Sequence, residues 1–281
     1  MHLYKTSKGS ILHVNNVYYL FDDEWDDLIN RDHLYDYLMA VRENGEEITV
    51  EHATRLIADH LLAPIGTQEV WAAGVTYLRS RDARMEESQD AGGADCYQKV
   101  YEAERPEIFF KALPHRVAAH DQFVNIRKDS AWNVPEPELT LYINSSGSIQ
   151  GYTIGNDMSS RSIEGENPLY LPQAKVYERS AALGPCLYIT DKPLSPDTQI
   201  RMTIHRAGNL MFEDATPISR MKRTLKELAG YLYRALDFPA GAFLMTGTCL
   251  VPPNDFTLQR DDSVTIYIDN IGILANRVSE K

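Results

Sequence analysis

Apolar and polar residues alternate in short runs along most of the chain, and a helical spacing appears in only a few stretches. This pattern predicts a β-rich protein with few helices. Residues 11–14 and 17–21 are two such runs on either side of Asn15-Asn16, which predicts a short hairpin. Asp22, Asp23, Glu24, Asp26 and Asp27 then suit the first turn of a helix that carries Trp25, Leu28, Leu34, Leu38 and Val41 and stops at Asn44-Gly45. Thr49 is placed to cap a second helix, whose apolar face is Ala53, Leu56, Ile57 and Leu61. Residues 64–68 interrupt the pattern as a linker. Residues 1–66 thus read as a small N-terminal α+β domain and 67–281 as the main domain.

The main domain begins with a strand at 70–75 and then changes character. Residues 78–105 are highly charged, with helix-compatible segments at 79–88 and 95–104 and Gly92-Gly93 between them. Such a segment reads as a lid hinged at the glycines, or equally as a solvated helical excursion. In the apolar run that follows, a period of two puts Glu107, Phe109 and Lys111 on one face, where a Glu107–Lys111 ion pair is the simplest reading. Strands are expected at 134–143 and 149–154, then a turn-rich loop at 164–168, then strands at 187–190, 200–205, 243–250 and 264–268. Ser219 is the expected cap of one strong helix, with Met221, Leu225, Leu228, Leu232 and Leu236 on its face.

Composition narrows the function classes. A formal charge of −12 over 281 residues argues against nucleic acid or an anionic membrane as partner, because either polyanion would be repelled. Cys96, Cys186 and Cys249 are widely spaced and read as free thiols of a reducing compartment. No stretch approaches the ~20 apolar residues of a membrane span, and a cytoplasmic protein is expected. Zinc patterns, phosphate-cradling glycine loops and nucleophile elbows are missing from the sequence.

The chemistry concentrates in the strand at 134–143 and its return. Residues two apart share a face, so Glu136 and Glu138 point together, and the Asn144-Ser145-Ser146-Gly147 turn brings Asp157 back beside them. Three carboxylates at one point repel unless a cation or shared protons neutralise them. An all-oxygen donor set suits a hard ion, Mg2+ or else Mn2+ or Ca2+.

Several longer strings resemble one superfamily. Pro106 to Lys111, the Glu136/Glu138 pair, Gly151-Tyr152-Thr153, Asp157-Met158-Ser159-Ser160-Arg161, Lys175, Gly184-Pro185 and Met245-Thr246-Gly247-Thr248 occur in the order seen in the fumarylacetoacetate hydrolase superfamily. Arg105 to Ala112, Pro135-Glu136-Pro137-Glu138-Leu139 and Glu166 to Gln173 are similar to the branch that contains 2-keto-3-deoxy-D-arabinonate dehydratase. The resemblance implies an α+β fold with a mixed β-roll catalytic domain, Mg2+ on Glu136, Glu138 and Asp157, and a homodimer or homotetramer. It also implies Glu107 and Lys175 as catalytic groups, with Thr248, Lys111 and Arg161 as candidates for holding a 2-keto acid substrate.

One departure separates two activities. Hydrolases of the superfamily carry a water-activating His and Glu in a lid helix, and here the matching positions are Ser80 and Ala83. Dehydration of a 2-keto-3-deoxy sugar acid through a metal-stabilised enolate is therefore the expected reaction. The alternative is C–C hydrolysis of acylpyruvates such as fumarylpyruvate or fumarylacetoacetate.

Overall fold

The computed structural model describes residues 1–87 and 94–281, so the expected Gly92-Gly93 hinge lies outside the described residues. Among the described residues the chain forms a large mixed sheet, a five-stranded sheet and short helices. The middle of the large sheet is the hairpin of Pro137–Ile143 and Ile149–Asp157, flanked by Ala181–Tyr188 on one side and Ala242–Met245 on the other. Glu69–Gly74 pairs parallel to Ala242–Met245, and Glu107–Ala112 pairs antiparallel to Glu69–Gly74. The five-stranded sheet runs Asn209–Pro217, Gln199–Arg206, Ser263–Ile268, Gly272–Glu280 and Phe123–Ile126. The expected α+β architecture with a mixed β-roll is the one observed.

Alternation in the central hairpin decides where the core and the site lie. All of Pro137–Ile143 is buried, so both faces of this strand need partners. Leu139 packs with Ile200, Met202, Val264 and Ile266 of the second sheet. Leu141 and Ile143 pack with Leu228 and Leu232 of the helix Leu225–Leu232. The even-numbered side chains point the other way: Tyr142 enters the core shared with Leu12 and Phe243, and Glu138 enters the site.

Residues 1–66 share this framework. The strand His2–Thr6 pairs with Ala181–Tyr188, and Leu3, Leu12, Phe21 and Trp25 belong to the same apolar cluster as Val70, Ala112 and Phe243. The expected hairpin is present as Gly9–Val14 and Val17–Phe21, with Asn15 and Asn16 at φ 52° and 63° in the turn. Thr49 caps Val50–His60 by accepting from the His52 N–H.

Several elements differ from expectation. The single helix expected from residue 22 to 44 is two, Trp25–Ile29 and Leu34–Val41. The break arises because Asn30 and Asp32 are used elsewhere: Asn30 accepts from Ser145 N, and Asp32 accepts from Asn144 and Ser146, gripping the turn of the central hairpin. Thr67 and Gln68 are bound to Asp26, so the expected linker is held down. Thr224 rather than Ser219 caps the strong helix, through a capping box with Glu227, and Leu236 is exposed beyond its end. The turn-rich loop is largely helical, as Arg161–Glu166, Pro168–Tyr170 and Leu171–Lys175. Asn209–Pro217 and Gly272–Glu280 are strands that the sequence pattern did not show.

Candidate active site

The open end of the central hairpin brings three acids together. Glu138 sits opposite Gly155 in the ladder, and Asp157 N donates to the Glu136 carbonyl at 2.9 Å. One carboxylate oxygen from each of Glu136, Glu138 and Asp157 lies within 4.8 Å of the others, and the three residues are only 3, 2 and 1 % exposed. Such burial of three anions is costly unless positive charge accompanies them.

Three cations do so. Lys175, at the end of the helix Leu171–Lys175, pairs with Glu136 Oε2 and lies 3.3 Å from Asp157 Oδ2. Lys111 pairs with Asp157 Oδ1 and also donates to the Met158 and Lys175 carbonyls at 3.0 and 2.5 Å. Arg161 donates to Glu136 Oε1 at 2.8 Å. Burial pushes the Asp157 carboxyl up, but Lys111 and Lys175 outweigh it and hold Asp157 below the ordinary range. Burial lowers the Lys111 ammonium, and Asp157 restores only part of that loss.

Glu138 stands apart. Its Oε2 accepts from the Gly247 N–H at 2.5 Å rather than from an ammonium. Burial, and then Asp157 and Glu136, push its carboxyl well above the usual range. Another positive charge at this point would restore the ionised form, and three convergent carboxylate oxygens are the donors a hard divalent ion takes. The residues therefore fit Mg2+.

A small cavity lies over the carboxylates, lined by Gly74, Ser80, Arg84, Phe109, Lys175 and Thr248. Gly247, at φ 95°, lets the chain turn so that its N–H reaches Glu138 and Thr248 faces the cavity. Thr246 fixes this turn by donating to the Leu139 carbonyl at 2.8 Å. On the strand Glu107–Ala112, Lys111 pairs with Asp157 and not with Glu107, so the simple strand ion pair is not formed. The Glu107 carboxylate abuts Gly74, where a Cβ would stand 1.9 Å from Oε2. That close approach is open to it only because residue 74 is glycine. Its buried Oε2 has no hydrogen-bond partner among the described residues.

The helix Leu78–Glu87 supplies the other wall. Ser80, Ala83 and Arg84 are its buried face, as i, i+3 and i+4 spacing dictates. The Ser80 hydroxyl donates to the Tyr77 carbonyl at 2.8 Å, and Ala83 offers a methyl group. Burial would lower the Arg84 guanidinium, but Glu136, Glu107 and Asp157 outweigh it, and it remains cationic. Arg84 was missed as a site residue by sequence reasoning; the signal was its spacing of four from Ser80. Of the expected site residues, Glu136, Glu138, Asp157, Lys175 and Thr248 line the cavity, Glu107 borders it at Gly74, and Lys111 and Arg161 hold Asp157 and Glu136.

Fold and site together define an α+β enzyme built around a buried carboxylate centre for a divalent metal. The chain belongs to the fumarylacetoacetate hydrolase family, whose C-terminal domain matches residues 70–279. A probable 2-keto-3-deoxyxylonate dehydratase of Haloferax volcanii is 48 % identical over 221 residues, 78 % of this chain and 75 % of that protein. A 2-dehydro-3-deoxy-D-arabinonate dehydratase of Saccharolobus solfataricus is 42 % identical over 220 residues, 78 % of this chain and 74 % of that protein. Among solved structures, 2-keto-3-deoxy-D-arabinonate dehydratase complexed with magnesium and 2,5-dioxopentanoate superposes with a TM-score of 0.85 at 34 % identity, covering 100 % of this chain and 99 % of that one.

Proposed function

We propose that this chain is a Mg2+-dependent dehydratase of a 2-keto-3-deoxy sugar acid, a carbon–oxygen lyase. The observation that carries this reading is the carboxylate triad with Lys175 beside it, under a helix that offers Ser80 and Ala83 where a hydrolase needs a water activator. The names of the two relatives and the 2,5-dioxopentanoate bound in the solved structure support the same substrate class.

The ion, held by Glu136, Glu138 and Asp157, supplies Lewis acidity that withdraws electron density from a 2-keto acid and makes its C3 proton acidic. The protein does the rest. Arg161 and Lys111 fix the carboxylates of Glu136 and Asp157, so the donor set is preorganised. Glu107 and Lys175 divide the two proton transfers: one takes the C3 proton, and the other gives a proton to the departing C4 hydroxyl. The C3–H and C4–O bonds break, a C3–C4 double bond forms and water leaves; a proton then leaves C5 and one returns to C3, moving the double bond to C4–C5, and the enol so formed at the C5 hydroxyl tautomerises to a second carbonyl. Thr248, on its fixed turn, holds the substrate carboxylate. Arg84 cannot take a proton, which leaves attacking water without a base on this wall.

The family match from residue 70 supports a division into a small unit at 1–66 and a catalytic unit at 67–281 with its charged cover at 78–105. Free Cys96, Cys186 and Cys249 support a reducing, cytoplasmic setting. No described helix is long and apolar enough to cross a membrane. Leu210 and Met211, exposed on the edge strand Asn209–Pro217, support a homodimer or homotetramer. The test is product analysis by NMR of a 2-keto-3-deoxy pentonate, with and without Mg2+. A 2,5-dioxo acid formed only with the metal is the expected result, and unchanged substrate in both arms contradicts the reading.

A further inference from the structure

The ion pair between Arg84 and Glu164 has no part in the proton transfers, yet it joins the helix Leu78–Glu87 to the helix Arg161–Glu166 beside the cavity. Arg84 is 4 % exposed and lines the cavity from the helix Leu78–Glu87, and Glu164 is 1 % exposed on the helix Arg161–Glu166. Glu164 is fixed from the metal side: its Oε2 accepts from the Ser159 hydroxyl at 3.0 Å, two residues after Asp157, and its helix begins with Arg161, which holds Glu136. Arg84 is fixed from the cover side, with its guanidinium 5.7 Å from the ring of Tyr97 on the second cover helix, Ala94–Glu102. The far end of that second helix is tied down elsewhere: Arg223 donates to the carbonyls of Glu104 and Ala103 at 2.7 and 2.5 Å, and Lys222 to that of Tyr101. The cover thus has an anchor at Lys222 and Arg223 and a second, fully buried attachment at the site.

We propose that Arg84 and Glu164 act as one positioning unit, a latch that seats the cover helix on the segment carrying Asp157 and so holds the cavity closed around bound substrate. Removing one partner takes the nearest opposite charge from the other buried group, leaving Arg84 to the acids Glu136, Glu107 and Asp157 and Glu164 to the Ser159 hydroxyl. The pair ties the helix Leu78–Glu87 to the helix Arg161–Glu166 beside the cavity. Joined, it sets the place of Ser80 and Arg84 over the carboxylates. The link to substrate rests on the dehydratase reading above; the closing role itself does not.

The experiment compares Arg84→Met, Glu164→Gln and the double variant of the Mg2+-loaded protein by amide hydrogen exchange and by steady-state kinetics. Each single variant is expected to raise exchange of residues 78–87 by roughly tenfold. Exchange in the hairpin of Pro137–Ile143 and Ile149–Asp157 should stay unchanged. KM should rise by about tenfold with a smaller change in kcat, and the double variant should be no worse than either single one, as for two halves of one device. Arg84→Lys and Glu164→Asp, which keep the charges, should restore exchange and KM toward the parent and serve if a neutral variant fails to fold. Unchanged exchange at 78–87 in Glu164→Gln, additive effects in the double variant, or loosening of the hairpin together with the helix would each overturn the latch. If no deoxy-keto acid is turned over, the exchange data still decide the latch, and the loss falls on the substrate reading alone.

Discussion

The strand Pro137–Ile143 is buried along its whole length and hydrogen-bonded on both sides, whereas the helix Leu78–Glu87 above it is charged and meets the site through one buried face, Ser80, Ala83 and Arg84. The strand fixes carboxylates in a framework that cannot shift without disturbing two sheets. The helix rests on a few polar contacts. Stabilising an enolate at a metal, the step that elimination and C–C hydrolysis have in common, belongs on the first kind of element. The choice of what happens next, elimination or attack by water, belongs on the second, where two side chains can change without cost to the core.

The sharpest break in this division is Glu138→Gln on the rigid side. Loss of one ionised ligand should reduce activity by about 10³-fold or more and abolish Mg2+ binding measured by calorimetry. The sign of the stability change runs opposite to intuition. Because the folded-state pKa of Glu138 is raised, metal-free protein loses stability as pH climbs above the unfolded carboxylate value toward that raised one. Glu138→Gln removes this penalty, so its metal-free Tm at pH 7 should equal or exceed the parent's.

Next come the proton-transfer groups. Glu107→Gln and Lys175→Ala should each lower kcat by roughly 10²- to 10⁴-fold. Glu107→Gln should leave Mg2+ affinity intact, since this residue is not a ligand. Retained dehydration in either variant, followed by NMR, would remove that residue from the mechanism. Smaller still is Thr248→Val, which should raise KM by about tenfold through loss of one hydrogen bond to an anion. Unchanged kinetics would make Thr248 a structural residue of the turn.

The rigid element was also the legible one. Glu136, Glu138 and Asp157 could be brought together from alternation and one turn alone, because strand pairing and a four-residue turn are local. Arg161 and Lys111, expected as groups that hold the substrate, also hold Glu136 and Asp157, which was not legible because the depth at which a long cation ends depends on packing that no local pattern shows. The break in the N-terminal helix was hidden for a similar reason: Asn30 and Asp32 bond to a turn more than a hundred residues away. Arg84 was lost among the charges of 78–105, where only its helical spacing from Ser80 marks it as inward.

Among the described residues of the cover, Ser80 and Ala83 offer no base for water where a hydrolase carries one, so the activated substrate eliminates instead of being hydrolysed. The most direct test of this outcome gives the Mg2+-loaded protein a 2-keto-3-deoxy pentonate and fumarylpyruvate in parallel and compares kcat/KM for each, alongside Ser80→Ala. Dehydration of the deoxy-keto acid is expected, with no cleavage of fumarylpyruvate above the metal-only rate and a change of less than about twofold in Ser80→Ala. Efficient cleavage of fumarylpyruvate with the deoxy-keto acid left intact would contradict it and place a water-activating group on the helix Leu78–Glu87 after all.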